Sequence, residues 1–433
     1  MLSLWSETVT LPTFPPLKKD AVKTDVLIIG GGLAGILCAY QLQQANIPYL
    51  LVEANTICSG ITKNTTAKLT SQHGLLYHKL MKQYGLEKTQ LYLDANESAL
   101  AEYKKLCETI ACDFEQKSSY VYSLNNKQLL EKELDALAKL MFPAGYVSSV
   151  PLPISTKGAI TFPTQGQFHP LKFLAEISKS LHIYEHTKVQ ELIGTTATTN
   201  YGKIIADHII VATHFPFLNK HGSYFLKLYQ HRSYVLALEN TSLIQEMYVD
   251  ESKQGLSFRP YKNYVLLGGG SHRTGKQGGS FSELRNFTKL HYPKAKEVAH
   301  WATQDCMTLD DIPYIGHYSK RTPNLYVITG FNKWGFTSAL AGSHILCDMI
   351  LGKPNHYATV FSPSRSMLKT QLFINAGEST LHLLTPSKKR CPHLGCVLKW
   401  NPEEHSFDCP CHGSRFTENG KLIDNPATDD LAP

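Results

Sequence analysis

The chain has 433 residues, 42% hydrophobic and 18% charged, with 43 Lys+Arg against 36 Asp+Glu for a net charge of +7. That length accommodates two or three ordinary domains, and the balance of apolar and charged residues excludes wholesale disorder. The excess charge is mild, and its longest basic run is Lys388-Lys389-Arg390, so there is no electrostatic footprint for nucleic acid.

The apolar runs at 26–29, 209–212 and 265–267 are far shorter than the roughly 20 residues of a membrane-spanning helix, so no transmembrane segment is expected. Residues 1–19 lack a basic stretch followed by an apolar core and carry Pro12, Pro15 and Pro16, unlike a secretory signal. A cytoplasmic protein is the expectation.

Apolar, β-branched residues at 24–29 predict a strand that runs into Gly30-Gly31-Gly32-Leu33-Ala34-Gly35. Ile36, Leu37, Ala39, Tyr40 and Leu42 then recur at helical spacing until Asn46-Ile47-Pro48, and a second strand is predicted at 49–53. Helices are predicted at 75–84, 89–110, 128–141 and 170–181, the last begun by Pro170. Strands follow at 187–193, 206–212, 233–238, 264–267 and 325–329. A helix at 335–351 closes the first body, and 353–356 and 362–365 read as linker.

Gly30-x-Gly32-x-x-Gly35 alone is weak evidence; its placement between a strand and a helix makes it a dinucleotide fingerprint. The glycines give a tight turn, close backbone approach to a pyrophosphate and close packing of helix on strand, while the helix N-terminus stabilises the phosphates. Glu53 ends the next strand, where a carboxylate accepts hydrogen bonds from ribose hydroxyls and disfavours a 2′-phosphate. The other glycine-rich strand end, Gly268-Gly269-Gly270-Ser271-His272-Arg273, has arginine where a third glycine belongs, which disfavours a second nucleotide site.

Of ten cysteines, Cys38, Cys58, Cys107, Cys112, Cys306 and Cys347 are scattered and read as buried thiols of a reduced compartment. Cys391, Cys396, Cys409 and Cys411 fall within 21 residues. Cys391-x-His393 and Cys409-x-x-His412 supply two thiolates and two imidazoles, the donor set of a Rieske 2Fe–2S centre. Structural zinc uses the same set, but the Cys-x-His spacing and two extra cysteines fit zinc poorly.

The segment Asp25 to Ile36 resembles the N-terminal motif of FAD-dependent oxidoreductases of the D-amino-acid oxidase and glycine oxidase superfamily. Residues 60–70, 187–189 with 206–213, 310–316 and 324–337 resemble that superfamily's later motifs in the same order, over about residues 22–352. The resemblance implies FAD contacts at Gly30, Gly32, Leu33, Ala34, Gly35, Glu53, Thr65, Thr66, Val189, Gly330, Trp334, Gly335 and Thr337. The C-terminal segment resembles Rieske proteins down to His-Leu-Gly-Cys and Cys-Pro-Cys-His-Gly-Ser. This implies that Cys391 and Cys409 ligate one iron and His393 and His412 the other. Cys396 and Cys411 match the disulfide pair of cytochrome bc-type members; two buried thiols are the alternative in a reducing compartment. Ser414 matches the hydroxyl donor to a bridging sulfide, while Phe416 stands where high-potential members have tyrosine. A potential below that of bc-type centres is expected.

The expected fold is therefore an α/β FAD-binding body, 1–365, with an interleaved antiparallel-sheet substrate region, and a small all-β Rieske module, 366–433. The FAD-binding parts fall at about 22–75, 150–215 and 305–352, and the substrate parts at about 76–149 and 216–304. The module holds seven basic and eight acidic side chains, a net −1 that leaves the positive charge on the body. A flavin beside a one-electron cluster implies an oxidoreductase that passes electrons singly to an unidentified acceptor; the superfamily resemblance implies an amine or amino-acid substrate. An electron-transfer component serving a separate oxygenase or reductase, and a non-enzymatic redox sensor, are the alternatives. No acid–base dyad stands out, and Arg259 is the candidate to clamp a substrate carboxylate. His73, His272 and Lys333 lie near the expected cofactor loops without an assigned role.

Overall fold

Val26-Leu27-Ile28-Ile29 is a continuous apolar run, which suits a strand covered on both faces, and it sits at the centre of a mostly parallel sheet in the computed structural model of the chain. The structure describes residues 3–18 and 21–432; Met1, Leu2, Lys19, Asp20 and Pro433 lie outside the described residues, including both outer ends of the expected domains. Strand Ala21–Ile29 pairs in parallel with Lys203–Val211 and Tyr49–Val52. Leu325–Thr329 and Ile183–Tyr184 extend the sheet in parallel on either side, and Tyr314–His317 closes one edge antiparallel.

Helices Leu33–Gln44 and Gly335–Ile350 pack against one another beside this sheet, with Tyr77–Cys107 packed on the second of them. Close approach of helix Gly335–Ile350 to the sheet needs Gly342, where a Cβ would come within 2.7 Å of Ile328 Cδ1. The helices expected at 75–84 and 89–110 are one element, Tyr77–Cys107, bent at Gly85, whose φ of +81° only glycine adopts freely.

A second sheet of nine strands runs from Lys296–Met307 through Tyr229–Glu239, Tyr264–Arg273, Ser257–Tyr261, Met247–Asp250 and Glu115–Ser123 to Gly158–Gln167 and Lys68–Leu69, with Gly145–Val147 also paired to Gly158–Gln167. Within it only Met247–Asp250 and Glu115–Ser123 pair in parallel among the described residues. Two strands outrun their predicted ends: Tyr229–Glu239 and Tyr264–Arg273 pair along most of their lengths. Gly268-Gly269-Gly270 accordingly belongs to a ladder and not to a phosphate loop.

The chain then turns at Arg365, whose buried guanidinium donates to Asp310 Oδ2 and Oδ1 at 2.7 and 2.8 Å and lies 3.9 Å over the Tyr314 ring. Beyond it lies a helix, Thr370–Leu384, so the segment expected to be all-β begins with 15 helical residues. The cause is legible: Phe373, Ile374, Leu381 and Leu384 recur at helical spacing. Four short antiparallel strands follow, Lys399–Asn401, Ser406–Asp408, Arg415–Thr417 and Leu422–Asp424, over a small core containing Leu398, Phe416 and Ala427.

Candidate cofactor cavity and cysteine–histidine centre

At the end of Ala21–Ile29 the backbone turns at Gly30 with φ +111°, and a Cβ there would lie 2.7 Å from Ala212 O. A Cβ on Gly35 would come within 1.9 Å of Gly30 O, so glycine is what brings helix Leu33–Gln44 down onto the strand. The helix N-terminus opens into a cavity of about 560 Å³, within the size range of cofactor sites. Glu53 borders it and accepts from Gly31 N at 2.7 Å and Asn55 N at 2.9 Å. Burial pushes its carboxyl upward, and these N–H donors oppose that shift.

The cavity gathers Gly30, Gly32, Leu33, Ala34, Glu53, Thr65, Thr66, Val189, Trp334 and Gly335 from segments spread over 300 residues of chain. Three other expected contacts lie outside its lining. Gly35 serves helix packing, Gly330 turns the chain at φ +75°, and the buried Thr337 hydroxyl donates to Thr70 O at 3.1 Å. Arg259 is also outside. It is fully buried and donates to Gln167 Oε1 at 3.0 Å, Phe168 O at 2.8 Å and Thr66 O, so its guanidinium is enclosed by the protein and does not present itself to the cavity.

Other polar residues line the cavity instead. His73 stacks on Trp334 with centroids 5.2 Å apart, and burial pushes its imidazole down to about 3, so it is neutral. With the proton on Nε2 it donates to Thr70 O at 2.9 Å and accepts from Tyr92 OH at 2.7 Å. Lys333 donates to Ser271 Oγ at 2.7 Å and Ser233 Oγ at 3.3 Å, its exposed surface being cavity surface. Lys68 donates to Thr66 Oγ1 at 3.3 Å; burial, then Arg259, pushes its ammonium down to about 7. No local motif marks these lysines, since Lys68 comes from the nine-stranded sheet and Lys333 from the loop before Gly335–Ile350.

In the C-terminal module the two cysteine–histidine segments fold alike. Cys391 N–H donates to Cys396 O at 2.9 Å, and Cys409 N–H to Ser414 O at 2.8 Å. Gly395 N–H and Gly413 N–H each return to the first cysteine's carbonyl at 2.9 Å, and both glycines have positive φ. The twin turns point His393 and His412 toward each other, rings 4.9 Å apart at 88°. Cys391, Cys409 and His412 are almost fully buried, and Cys396 and Cys411 are disulfide-bonded across the turns.

The donor chemistry fits a 2Fe–2S centre. His393 Nε2 is paired with Asn219 Oδ1 at 2.9 Å, leaving its Nδ1 buried without a partner, as are both nitrogens of His412. Burial pushes the two imidazoles down to about 4 and about 3, the neutral form that binds metal. Ser414 Oγ accepts from Ala427 N at 2.9 Å, which leaves its own proton free to donate.

The two sites share a wall. Leu422, Asp424, Asn425 and Thr428 of the module line the cofactor cavity. Asn425 donates to Thr213 O and to Phe215 O, the latter at 2.9 Å. Gln230 Oε1 accepts from His214 Nε2 at 3.1 Å, which places the ring proton on Nε2, and Gln230 Nε2 donates to His412 O at 3.0 Å and Asn425 O at 2.9 Å. Gln304 and Arg273 hold Gly413 O and Cys411 O at 2.9 and 3.0 Å.

Residues 25–349 match the family "FAD dependent oxidoreductase" (DAO) and residues 364–433 match the Rieske [2Fe-2S] domain. The chain belongs to this family of FAD-dependent oxidoreductases, carries a Rieske domain, and has FAD and a 2Fe–2S cluster as its cofactors. It is similar over 99% of its length, at 32% identity, to YhfW of Bacillus subtilis, whose name describes a Rieske 2Fe-2S iron-sulfur protein and 96% of which is covered. A cytochrome b6-f complex iron-sulfur subunit of Synechococcus sp. is 36% identical over 22% of this chain and 59% of its own. Glycine oxidase from Geobacillus kaustophilus superposes with a TM-score of 0.67 at 19% identity, covering 80% of this chain and 99% of that one. L-proline dehydrogenase from P. horikoshii superposes with a TM-score of 0.66 at 17% identity, covering 81% and 98%. Those two likenesses establish the fold. No helix among the described residues is long and apolar enough to cross a membrane.

Proposed function

We propose that the chain oxidises a small amine or amino acid in the FAD cavity and passes the electrons, one at a time, through the Rieske centre to a separate acceptor. The observation that carries this reading is the shared wall: Asn425 lines the cavity and is bonded to Gln230, which also holds the backbone of His412. The names of the structural neighbours, glycine oxidase and L-proline dehydrogenase, support an amino-acid substrate. The division at residue 365 belongs to the same reading, with Arg365 fixing the first body at the boundary.

When bound, FAD supplies two-electron oxidation of a C–N bond and the cluster supplies one-electron transfer. Gly30, Gly32, Leu33 and Ala34 would present the helix N-terminus to the FAD pyrophosphate, and Glu53 would accept from its ribose hydroxyls. Lys333 and Lys68, in place of Arg259, offer amine N–H donors to a substrate carboxylate, whose negative charge would favour the protonated form of Lys68. Trp334 and neutral His73 stack as an apolar, uncharged wall that limits water. Cys391 and Cys409 would hold one iron and His393 and His412, through their unpaired nitrogens, the other.

The test is anaerobic mixing of the purified holoprotein with a panel of amines and amino acids, followed by visible and EPR spectra. Flavin bleaching followed by a reduced Rieske signal is the expected result. Bleaching by NADH alone, or by no metabolite of the panel, would overturn the proposal. The Cys391→Ser and His393→Asn variants should lose iron and the EPR signal while retaining FAD.

A further inference from the structure

Helix Thr370–Leu384 is inverted with respect to the protein it belongs to. Its polar side faces inward: Asn375 is buried, accepts from Arg273 at 3.0 Å and donates to Leu226 O at 3.2 Å, and Glu378 pairs with Lys276. Its apolar side faces outward, with Phe373 68%, Ile374 46%, Leu381 60% and Leu384 77% exposed. These four occur at helical spacing and form one stripe along a helix about 22 Å long. Leu368 before the helix and Leu394 beside the ligand His393 extend the exposed apolar surface at either end. An apolar stripe of this length on a folded chain marks a docking surface.

Charge selects the occupant. Residues 366–400 carry five basic side chains and one acidic, and the acidic one, Glu378, is already paired with Lys276. Lys388, Lys389 and Arg390 are exposed directly after the helix. Arg390 donates to Leu383 O at 3.1 Å and Gly395 O at 2.7 Å, which ties the basic run to both the helix end and the first ligand turn. Residues 401–433 hold seven acidic side chains against two basic, so the positive charge is concentrated beside the stripe. A second copy docked stripe to stripe by a two-fold axis would bring two segments 366–400, each with five basic side chains and one acidic, to the same interface. An apolar stripe flanked by lysine and arginine suits an anionic lipid surface, with the side chains entering the headgroup boundary and the cations meeting lipid phosphates.

We propose that the face formed by Phe373, Ile374, Leu381 and Leu384 with Lys388 and Lys389 docks the protein peripherally on an anionic membrane, which places the Rieske ligand turn at 391–396 next to the lipid surface. The test is flotation of the full-length holoprotein with vesicles of phosphatidylcholine alone or with added phosphatidylglycerol. Binding to the anionic vesicles, weakened by salt, is the expected result. Lys388→Ser with Lys389→Ser should weaken it about thirtyfold. Phe373→Asn with Leu381→Gln should abolish it, with the cluster EPR signal unchanged as a check on folding. The proposal is overturned if neither vesicle binds, or if the four substitutions leave flotation intact. It is also overturned if size exclusion shows a dimer that Phe373→Asn dissociates in a protein that ignores vesicles, which would assign the stripe to a second copy.

Discussion

The side-chain amide of Gln230 donates to the backbone carbonyl of His412 across the junction between the FAD body and the Rieske module, at 3.0 Å. The same amide reaches Asn425 O at 2.9 Å, and its carbonyl meets His214 of the cavity wall at 3.1 Å. One buried side chain therefore ties the cavity wall to a histidine-bearing turn, and its position fixes how the two sites face each other.

Replacing it tests that coupling. Gln230→Leu preserves bulk but leaves two buried carbonyls without this donor, which costs roughly 1–3 kcal/mol of docking stability. Flavin reduction by substrate should proceed as in the parent chain, while electron arrival at the cluster slows in stopped-flow traces. Unchanged cluster reduction would separate the junction from electron delivery.

Arg365→Ala removes one partner of a buried ion pair with Asp310 and should destabilise the chain by roughly 3–5 kcal/mol in urea unfolding. The pair also sets a pH dependence. Burial favours a raised Asp310 carboxyl, but Arg365 outweighs it and holds the group below the ordinary carboxylate value of about 4. Its contribution is complete above that value and is lost as pH falls through the lowered folded pKa. Acid unfolding of the parent should therefore steepen below about pH 4, and the Arg365→Ala chain should lack that increment.

Gly35→Ala sets a methyl group 1.9 Å from where Gly30 O now lies. Helix Leu33–Gln44 must lift from its strand, at roughly 1–3 kcal/mol. The variant should emerge from gel filtration with less FAD per chain, while its iron content stays at the parent value.

Ser414→Ala should lower the cluster's reduction potential in an EPR-monitored titration, because it removes a hydroxyl whose proton is free to reach the cluster. It also removes the acceptor of Ala427 N–H, which costs about 1 kcal/mol. Phe416 is fully buried where high-potential Rieske proteins have tyrosine, so the parent potential should lie below theirs, and Phe416→Tyr should raise it.

The residues at 24–53 determined their own structure. A strand-length apolar run, three glycines and an acidic strand end make a βαβ unit because each requirement is local. The cysteine–histidine turns are equally local, since five or six residues contain the ligands, the positive-φ glycine and the closing hydrogen bonds. Arg259 shows the limit. As a sequence feature it was the candidate to clamp a substrate carboxylate, and only the packing of Gln167, Thr66 and Phe168 around it shows that its guanidinium is enclosed away from the cavity. Lys68 and Lys333, which do reach the cavity, lie on separate elements brought together by the nine-stranded sheet and the loop before Gly335–Ile350. The same distinction governs the two cofactor sites. Ligand type and spacing along the chain determined what each would hold, whereas Gln230, Asn425 and Arg273 decided that they would adjoin, because a contact across 182 residues of chain exists only once both surfaces have folded. Tertiary structure likewise decided which side of Thr370–Leu384 met solvent: its polar side found Arg273 and Lys276 on the body, and the apolar side was left facing outward.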